Sequence, residues 1–344
     1  MRWSSLLVLG AFVAAACGGS GGNQNASTSP AAAASPASQS PSLAALCRIP
    51  LSWMGTDALP KEGFMDLTTG QVTDMPAAHL EVAGGNLARS PGPPALIGWP
   101  TGSSYYDAPL GRWLPALGQW ISPEGGVYMY LNFAASELHV VDVATGNDRV
   151  LAGGKRLYPL AWLTDHVYVM DFPTGSPVQT YSISVPGGQL TKLTAKVSSV
   201  VPVAGGGAWV TEVSSDVPHA TGSNGPVANS VSRIDLVSGQ KVEWFSAANA
   251  TVALLGFTQS GTPLIESTSS SGILLSRLSG PGNTIENFTL KQAAVGSATD
   301  AHGTWLLDGN GEVLIYNEGA SPKVLASAPT GLGGFGLAGG CAPR

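Results

Sequence analysis

A pattern of paired short strands recurs seven times along this chain, and it limits the fold more than any other feature. Each copy contains an apolar/polar alternation, a turn rich in small residues and a second alternation, which together are typical of a β-hairpin. The turns fall at Gly70, Gly111, Gly146, Gly188, Gly239, Gly282 and, more loosely, at residues 319–321. The six glycines are 35 to 51 residues apart, and the average spacing is about 42.

A second series of short, nearly continuous apolar runs precedes the hairpins. Runs of this kind are typical of strands that are buried on both faces. Seven are present, at residues 50–54, 95–99, 127–131, 167–171, 208–212, 262–266 and 304–308. An apolar, glycine-rich stretch lies before most of them, so that each repeat supplies four strands. Four strands in a period of about 42 residues predict an all-β fold, a seven-bladed β-propeller.

The first sixteen residues, 1–16, have the layout of a secretory signal peptide. A charged start at Arg2 is followed by an apolar stretch over residues 6–13, and three alanines then precede Cys17. Small residues before a cysteine resemble a bacterial lipobox, in which the thiol accepts a lipid and the cysteine becomes the mature N-terminus. The alternative is an ordinary signal peptide that is cleaved near Ala16. The lipobox predicts an extracytoplasmic protein held on a membrane of the bacterial cell envelope.

The next segment, residues 17–45, contains Gly, Ser, Asn, Ala and Pro, no charge and hardly any large apolar side chain. Such a segment buries too little surface to offset its chain entropy, so we expect a flexible linker. The several acyl chains of a lipoprotein anchor firmly, whereas one chain anchors weakly. The sequence therefore predicts a lipid-anchored linker over 17–45 and a propeller domain over 46–344.

Two further cysteines, Cys47 and Cys341, lie at the two ends of the part that is expected to fold. In an exported chain two such cysteines usually form a disulfide, and free thiols are the alternative. The first repeat lacks an upstream inner strand, because the linker precedes it. We expect residues 333–338 to supply that strand and to close the propeller. In the chain-entropy model, a disulfide across so long a loop stabilises by roughly 5 kcal/mol.

Two stretches resemble known propeller families. Residues 203–211 (Val-Ala-Gly-Gly-Gly-Ala-Trp-Val-Thr), followed by residues 231–239, resemble blades of the YVTN and virginiamycin B lyase-like propellers. Residues 122–125, Ser-Pro-Glu-Gly, resemble a turn of the periplasmic Tol-type propellers. The resemblance covers roughly residues 47–341 and implies blade geometry. It does not include the catalytic histidine pattern of the lyase, so it implies no lyase activity.

An alignment of the seven buried runs predicts one candidate binding rim. The aligned residues are Met54, Trp99, Leu131, Asp171, Glu212, Glu266 and Asp308. The last four form an acidic arc that would attract a cation or a basic peptide; ordinary solvation of strand ends is the alternative. A long insertion after Glu212 carries Asp216 and His219 and is expected to rise beside the arc, unless it is only a neutral surface loop. The carboxylates are expected to lie too far apart to share one ion, so no metal site is predicted.

The charge and the motif content limit the classes of function that this chain can have. Only 11% of the residues are charged and the net charge is −6, whereas nucleic-acid-binding proteins present a basic surface. None of the five histidines belongs to a recognisable catalytic motif. We therefore expect a monomeric binding or assembly scaffold without a cofactor, whose partner is an envelope protein or a small extracellular ligand.

The alternative is an extracytoplasmic lyase or hydrolase that acts on sugars, lactones or peptides, because propellers host such enzymes as well as scaffolds. A cluster of His with Glu or Asp in the central channel would favour the enzyme. A channel lined by Gly, Ala, Val and Ser would favour the scaffold.

Overall fold

The computed structural model describes most of the chain from residue 42 onward. The described residues are 42–54, 60–75, 105–114, 116–132, 135–171, 178–185, 187–197, 202–222, 225–329 and 333–344. The predicted signal peptide, Cys17, most of the predicted linker and the second buried run at 95–99 lie outside them. The first described element is a single helical turn, α1 (Leu43–Leu46), just before the predicted start of the domain. No helix among the described residues is long and apolar enough to cross a bilayer.

The described strands form six antiparallel blades of three to five strands each, together with two separate two-stranded hairpins. Blade 1 contains β1–β3, the first hairpin consists of β4–β5, and blade 2 contains β6–β8. Their bounds are β1 (Cys47–Met54), β2 (Pro60–Asp66), β3 (Val72–Asp74), β4 (Tyr105–Asp107), β5 (Arg112–Leu114), β6 (Val127–Asn132), β7 (Glu137–Asp142) and β8 (Asp148–Gly153). A short 3-10 helix, Gly118–Trp120, precedes β6.

Blades 3 and 4 have four strands each, and blade 4 carries the second hairpin as an insertion between its middle strands. Blade 3 is formed by β9 (Leu157–Leu163), β10 (His166–Asp171), β11 (Val178–Ser184) and β12 (Leu190–Val197). Blade 4 is formed by β13 (Val203–Ala204), β14 (Gly207–Glu212), β17 (Ser230–Asp235) and β18 (Lys241–Ser246), with β15 (Thr221–Gly222) and β16 (Gly225–Pro226) inserted.

Blades 5 and 6 complete the series, and the last two strands return to blade 1. Blade 5 is formed by β19 (Thr251–Phe257), β20 (Pro263–Ser269), β21 (Gly272–Gly280) and β22 (Asn283–Leu290). Blade 6 is formed by β23 (Ala294–Asp300), β24 (Gly303–Asp308), β25 (Glu312–Tyr316) and β26 (Lys323–Ser327). The tail strands are β27 (Gly333–Leu337) and β28 (Ala342–Pro343), and both pair with β1.

The apolar runs that the sequence predicts as buried strands lie inside the blades. In blade 6 every residue of β24 is buried. The hydrophobic clusters also reach from blade to blade: Leu131 of blade 2, Met170 of blade 3 and Val210 of blade 4 belong to one cluster. In blades 3 to 6 the second strand (β10, β14, β20 or β24) is therefore buried on both faces, because a neighbouring blade covers each face.

The outer hairpins of several blades share one aspartate-containing turn. Asp142 ends β7 and accepts hydrogen bonds from the N–H of Thr145 at 2.8 Å and from its hydroxyl at 2.7 Å. Gly146 closes the turn with φ +72°, a left-handed conformation that glycine adopts without steric cost. The Thr145 hydroxyl and N–H keep the pKa of Asp142 below its usual value. The turns after Asp66 and Asp235 repeat this arrangement.

The sequence predicts seven blades, and the structure shows six. The difference arises in the second repeat, whose buried run at 95–99 lies outside the described residues. Its outer hairpin, β4–β5, is present as two strands and has the same turn, since Asp107 accepts a hydrogen bond from the N–H of Leu110 at 3.0 Å. The Tyr106 N–H of the hairpin donates to the carbonyl of Ala338, which follows β27 in blade 1. Arg112 donates at 3.1 Å to the carbonyl of Val143, which follows β7 in blade 2.

The two ends of the folded chain meet in blade 1. Strand β27 pairs antiparallel with β1, with Leu337 opposite Leu51 and Gly336 opposite Ser52. A disulfide joins Cys47 to Cys341, whose Cα atoms are 5.1 Å apart. The pairing of the tail strand with β1 and the disulfide are both as the sequence predicts. We call this junction of β1, β27 and the disulfide the seam.

One carboxylate of blade 6 fixes that blade to the seam. Asp300, at the end of β23, accepts hydrogen bonds from the Cys341 N–H at 2.5 Å and from the Trp305 indole N–H at 2.7 Å. Its other oxygen accepts a bond from the His302 N–H at 2.7 Å. A single side chain thus orders both the β23–β24 turn and the approach of the tail to Cys47.

Removal of the disulfide should destabilise the whole domain. We expect the Cys47→Ser, Cys341→Ser double variant to lose about 2–5 kcal/mol of unfolding free energy, because the unfolded chain is no longer cross-linked. Urea denaturation followed by tryptophan fluorescence measures this loss. Reduced wild-type protein should have the stability of the double variant, and equal stability of oxidised wild type and double variant would contradict the prediction.

Candidate binding face

Three of the four carboxylates of the predicted arc lie where the sequence places them. Asp171, Glu212 and Asp308 are the last residues of β10, β14 and β24. Glu266 does not end its strand, and here the prediction is wrong. Strand β20 continues to Ser269, because Ser267 and the two residues after it pair with residues 272–274 of β21.

Asp308 and Glu266 are both buried, each 5% exposed, and both are bonded to backbone N–H groups. Asp308 accepts bonds from the N–H groups of Asn310 at 2.9 Å and Glu312 at 2.8 Å, and so it orders its own hairpin turn. Glu266 accepts a bond from the N–H of Ala294 at 2.7 Å and thereby joins blade 5 to blade 6. Burial raises the pKa of Glu266. These contacts give both carboxylates a structural role.

Asp171 and Glu212 have partners on their own blades. The half-buried Asp171 accepts a hydrogen bond from the Tyr181 hydroxyl at 3.1 Å. Glu212 pairs with Lys241 at 2.5 Å and accepts a bond from the Ser232 hydroxyl at 2.6 Å. The Glu212 and Lys241 side chains are 31% and 49% exposed, so this ion pair faces solvent. Glu212 is thus easier for a partner to reach than the buried Glu266 and Asp308.

The insertion that follows Glu212, residues 213–229, is anchored at its base by a fully buried asparagine. Asn229 is 0% exposed, and its side-chain oxygen accepts a bond from the Ser214 N–H at 2.7 Å. Its amide NH₂ donates to the Pro218 carbonyl at 3.3 Å, and that carbonyl also accepts the Asn249 N–H at 2.8 Å. Because the buried amide uses its oxygen and its nitrogen, it holds both ends of the insertion's first turn.

The exposed residues of the insertion include the two that the sequence singled out. Asp216 and His219 both lie at the surface, and the β15–β16 hairpin follows them. Together with Glu212 they form what we call the insertion face: Glu212, Asp216, His219 and the β15–β16 hairpin. The unusual length between Gly188 and Gly239 is the signal that located it. Nothing local to Asn229 or Lys241 could have revealed their roles, since both act on residues at least eleven positions away.

A cavity of about 300 Å³ lies where the first hairpin, blade 2, blade 6 and the tail strand meet. Its described lining is small or apolar, with a phenol, an amide and a hydroxyl: Tyr105, Ala116, Leu117, Gly118, Gln119, Ser297, Ala298 and Leu337. Burial raises the pKa of Tyr105, so its phenol stays protonated at neutral pH and can donate a hydrogen bond. The lining is suited to a neutral group with an apolar part.

A histidine network on blade 2 is a feature that sequence reasoning missed. The His139 ring nitrogens lie 2.8 Å from an Asp148 oxygen and 3.2 Å from a Glu137 oxygen. Tyr130 stacks on the imidazole with a centroid separation of 4.8 Å and donates to Asp148 at 2.6 Å. The alternation along β7 does place Glu137 and His139 on one face, but it does not indicate which residues of β6 and β8 join them.

Comparison with known proteins gives fold likeness alone. No protein-family model and no curated protein matches the chain. Among solved structures, TolB from Acinetobacter baumannii is 12% identical with a TM-score of 0.46, over 86% of this chain and 67% of that one. Regucalcin, a calcium-binding protein from Agrobacterium tumefaciens, is 18% identical with a TM-score of 0.38, over 66% and 78%. A catalytically inactive virginiamycin B lyase from Staphylococcus aureus is 13% identical with a TM-score of 0.35, over 61% and 69%.

Replacement of Asn229 should loosen the insertion. We expect Asn229→Ala to cost about 1–3 kcal/mol, because it leaves a buried N–H and a carbonyl without their partner. Hydrogen exchange should speed up at Ser214 more than in blade 6, and denaturation measures the overall loss. Asn147→Ala, a change to an exposed amide in the β7–β8 turn of blade 2, is the matched control and should cost less. Equal effects of the two changes would contradict the anchoring role.

Proposed function

We propose that this protein is a lipid-anchored, extracytoplasmic β-propeller that acts as a binding or assembly scaffold in the bacterial cell envelope. Its partner would be a basic segment of another envelope protein, and it would dock on the insertion face. The observation that carries the proposal is the anchored insertion itself. An excursion of this length is not needed to connect two neighbouring strands, yet it is held by a fully buried amide and presents acidic and imidazole groups to solvent.

The charge arrangement at the insertion face supports a basic partner. Glu212 already binds one ammonium group, that of Lys241, in a solvent-exposed pair. Exposed ion pairs of this kind contribute only about 0–1 kcal/mol, so an incoming Arg or Lys can replace Lys241 at little cost. Asp216 adds a second carboxylate on the same segment. After displacement, the ammonium group of Lys241 would move into solvent.

The predicted anchor gives the scaffold a defined reach. Residues 17–45, if they are flexible, have a root-mean-square length of about 30 Å. That length would keep the propeller near the membrane and leave it free to turn. A membrane-held scaffold with a short reach captures partners that are held at the same surface, because the tether raises their effective concentration.

The cavity near the first hairpin supports binding more than catalysis. Acid–base catalysis favours a group whose pKa lies near the working pH. Burial raises the pKa of Tyr105 and moves it further from neutrality. Gln119 and Ser297, which also line the cavity, do not titrate in this range. The lining is therefore suited to hold a neutral group by hydrogen bonds and apolar contact. The described lining of this cavity gives no comparable support to the lyase or hydrolase alternative.

The binding test uses a matched pair of variants. Glu212→Gln, Asp216→Asn and His219→Ala combined should reduce partner recovery about tenfold after crosslinking and pull-down from native envelopes, because the basic segment loses two carboxylate counter-charges and one imidazole contact. The control, Asp165→Asn with His166→Ala, changes an exposed Asp and His at the opposite ends of the strands in blade 3. Recovery should be unchanged in the control. Equal recovery of the partner from both variants would show that the insertion face is not the docking site.

The anchor has a separate test. Cys17→Ala should abolish incorporation of a labelled fatty acid and release the protein from the membrane fraction, because the thiol that accepts the lipid is gone. Cys341→Ser, which leaves Cys17 intact, is the control and should still incorporate the label. If the wild-type protein carries no label and is cleaved near Ala16, the leader is an ordinary signal peptide and not a lipoprotein signal. This outcome would not affect the binding test.

A further inference from the structure

A histidine lies directly beside the disulfide at the seam. The two cysteine sulfurs and a ring nitrogen of His302 all lie within 4.8 Å of one another. Cys47 is 0% and Cys341 8% exposed, whereas His302 is exposed. We propose that reduction of the disulfide turns the seam into a zinc site whose protein ligands are Cys47, Cys341 and His302. This site is independent of the insertion face and goes beyond the scaffold function.

The three ligands come from three separate segments, and one carboxylate positions two of them. Cys47 begins β1, Cys341 follows β27, and His302 lies in the β23–β24 turn. Asp300 accepts the N–H groups of both His302 and Cys341, at 2.7 and 2.5 Å. The backbone at two ligands is thus fixed before any metal arrives, and this lowers the cost of ordering the site. The Asp300 carboxylate also adds negative charge near the cation.

The chemistry of the change is a two-electron reduction followed by proton release. A dithiol reductant supplies two electrons and two protons, so that the Cys47–Cys341 bond becomes two thiols and the reductant becomes a disulfide. Zinc then displaces both thiol protons and binds two thiolates and the neutral imidazole. The two thiolate charges balance the charge of the ion, which suits a site with buried sulfurs. Water can complete the tetrahedron on the exposed side.

Zinc is the ion that this ligand set favours. Thiolates select zinc and other soft metals, and imidazole is also a good zinc ligand. Tetrahedral zinc has bonds of about 2.3 Å to sulfur and about 2.0–2.1 Å to nitrogen, so its ligand atoms lie roughly 3.5–4 Å apart. Once the bond is broken, the two sulfurs must separate from the roughly 2.05 Å of a disulfide to about 3.5–4 Å, whereas the His302 nitrogen already lies within 4.8 Å of both. The ion would then join blade 6 to the seam as well as holding the two cysteines.

The test measures zinc affinity in both redox states of the full-length protein. The protein is reduced with a water-soluble phosphine, and the phosphine is then removed under anaerobic conditions. The reduced protein competes with a chromophoric chelator for zinc. We expect one zinc ion per reduced chain and no competition from oxidised protein. His302→Ala should weaken zinc binding by at least about tenfold. His166→Ala changes a partly exposed histidine at the start of β10, directly after the corresponding turn of blade 3, and is the matched control, with unchanged affinity expected.

Cobalt provides a second readout that a loosely bound ion would not give. Reduced wild-type protein with Co²⁺ should show the thiolate-to-cobalt absorption bands of a tetrahedral site, and Cys47→Ser, Cys341→Ser should not. Near-ultraviolet circular dichroism reports whether each variant is folded, and the oxidised form of His302→Ala should fold as wild type does because this side chain is exposed. Equal zinc affinity of reduced wild type and His302→Ala, or equal affinity of oxidised and reduced protein, would overturn the proposal.

Discussion

The pairing of β27 with β1 is the contact on which the rest of the structure depends. In blades 3 to 6 the two faces of the second strand are covered by neighbouring blades, so none of these blades can bury its apolar residues alone. Blade 1 has no upstream strand among the described residues, and the tail fills that inner position through Leu337 and Gly336. The disulfide and the Asp300 hydrogen bonds then hold the tail where it must lie.

Several carboxylates of this negatively charged chain stabilise the fold rather than form a binding surface. Asp142, Asp300 and Asp308 each accept backbone N–H groups in turns, and Glu266 accepts one from a neighbouring blade. A turn must satisfy N–H groups that no strand partner reaches, and a carboxylate does so well. Only a charge that remains exposed after these contacts, such as that of Glu212, is available to a partner.

The sequence predicts much of the fold, because strand alternation and turn chemistry are local properties. The hairpins at Gly146 and Gly239 and the buried run of β24 follow from short stretches alone, and the tail strand follows from one missing partner. The candidate site is less predictable. Glu266 lies within its strand because residues 267–269 find partners on β21, and Asn229 acts on a carbonyl eleven residues away. The alternation pattern contains no information about such distant contacts. The blade count differs at the second repeat, whose buried run at 95–99 lies outside the described residues.

The position of β27 also sets the order in which the molecule can be completed. Blades 3 to 6 are each made from one continuous stretch and can form as the chain emerges. Blade 1 is made from the first and the last strands, so it stays incomplete until residue 341 has left the ribosome. Because the strand that completes blade 1 follows the strands of every other blade, this domain reaches its final structure only after β27 has been made.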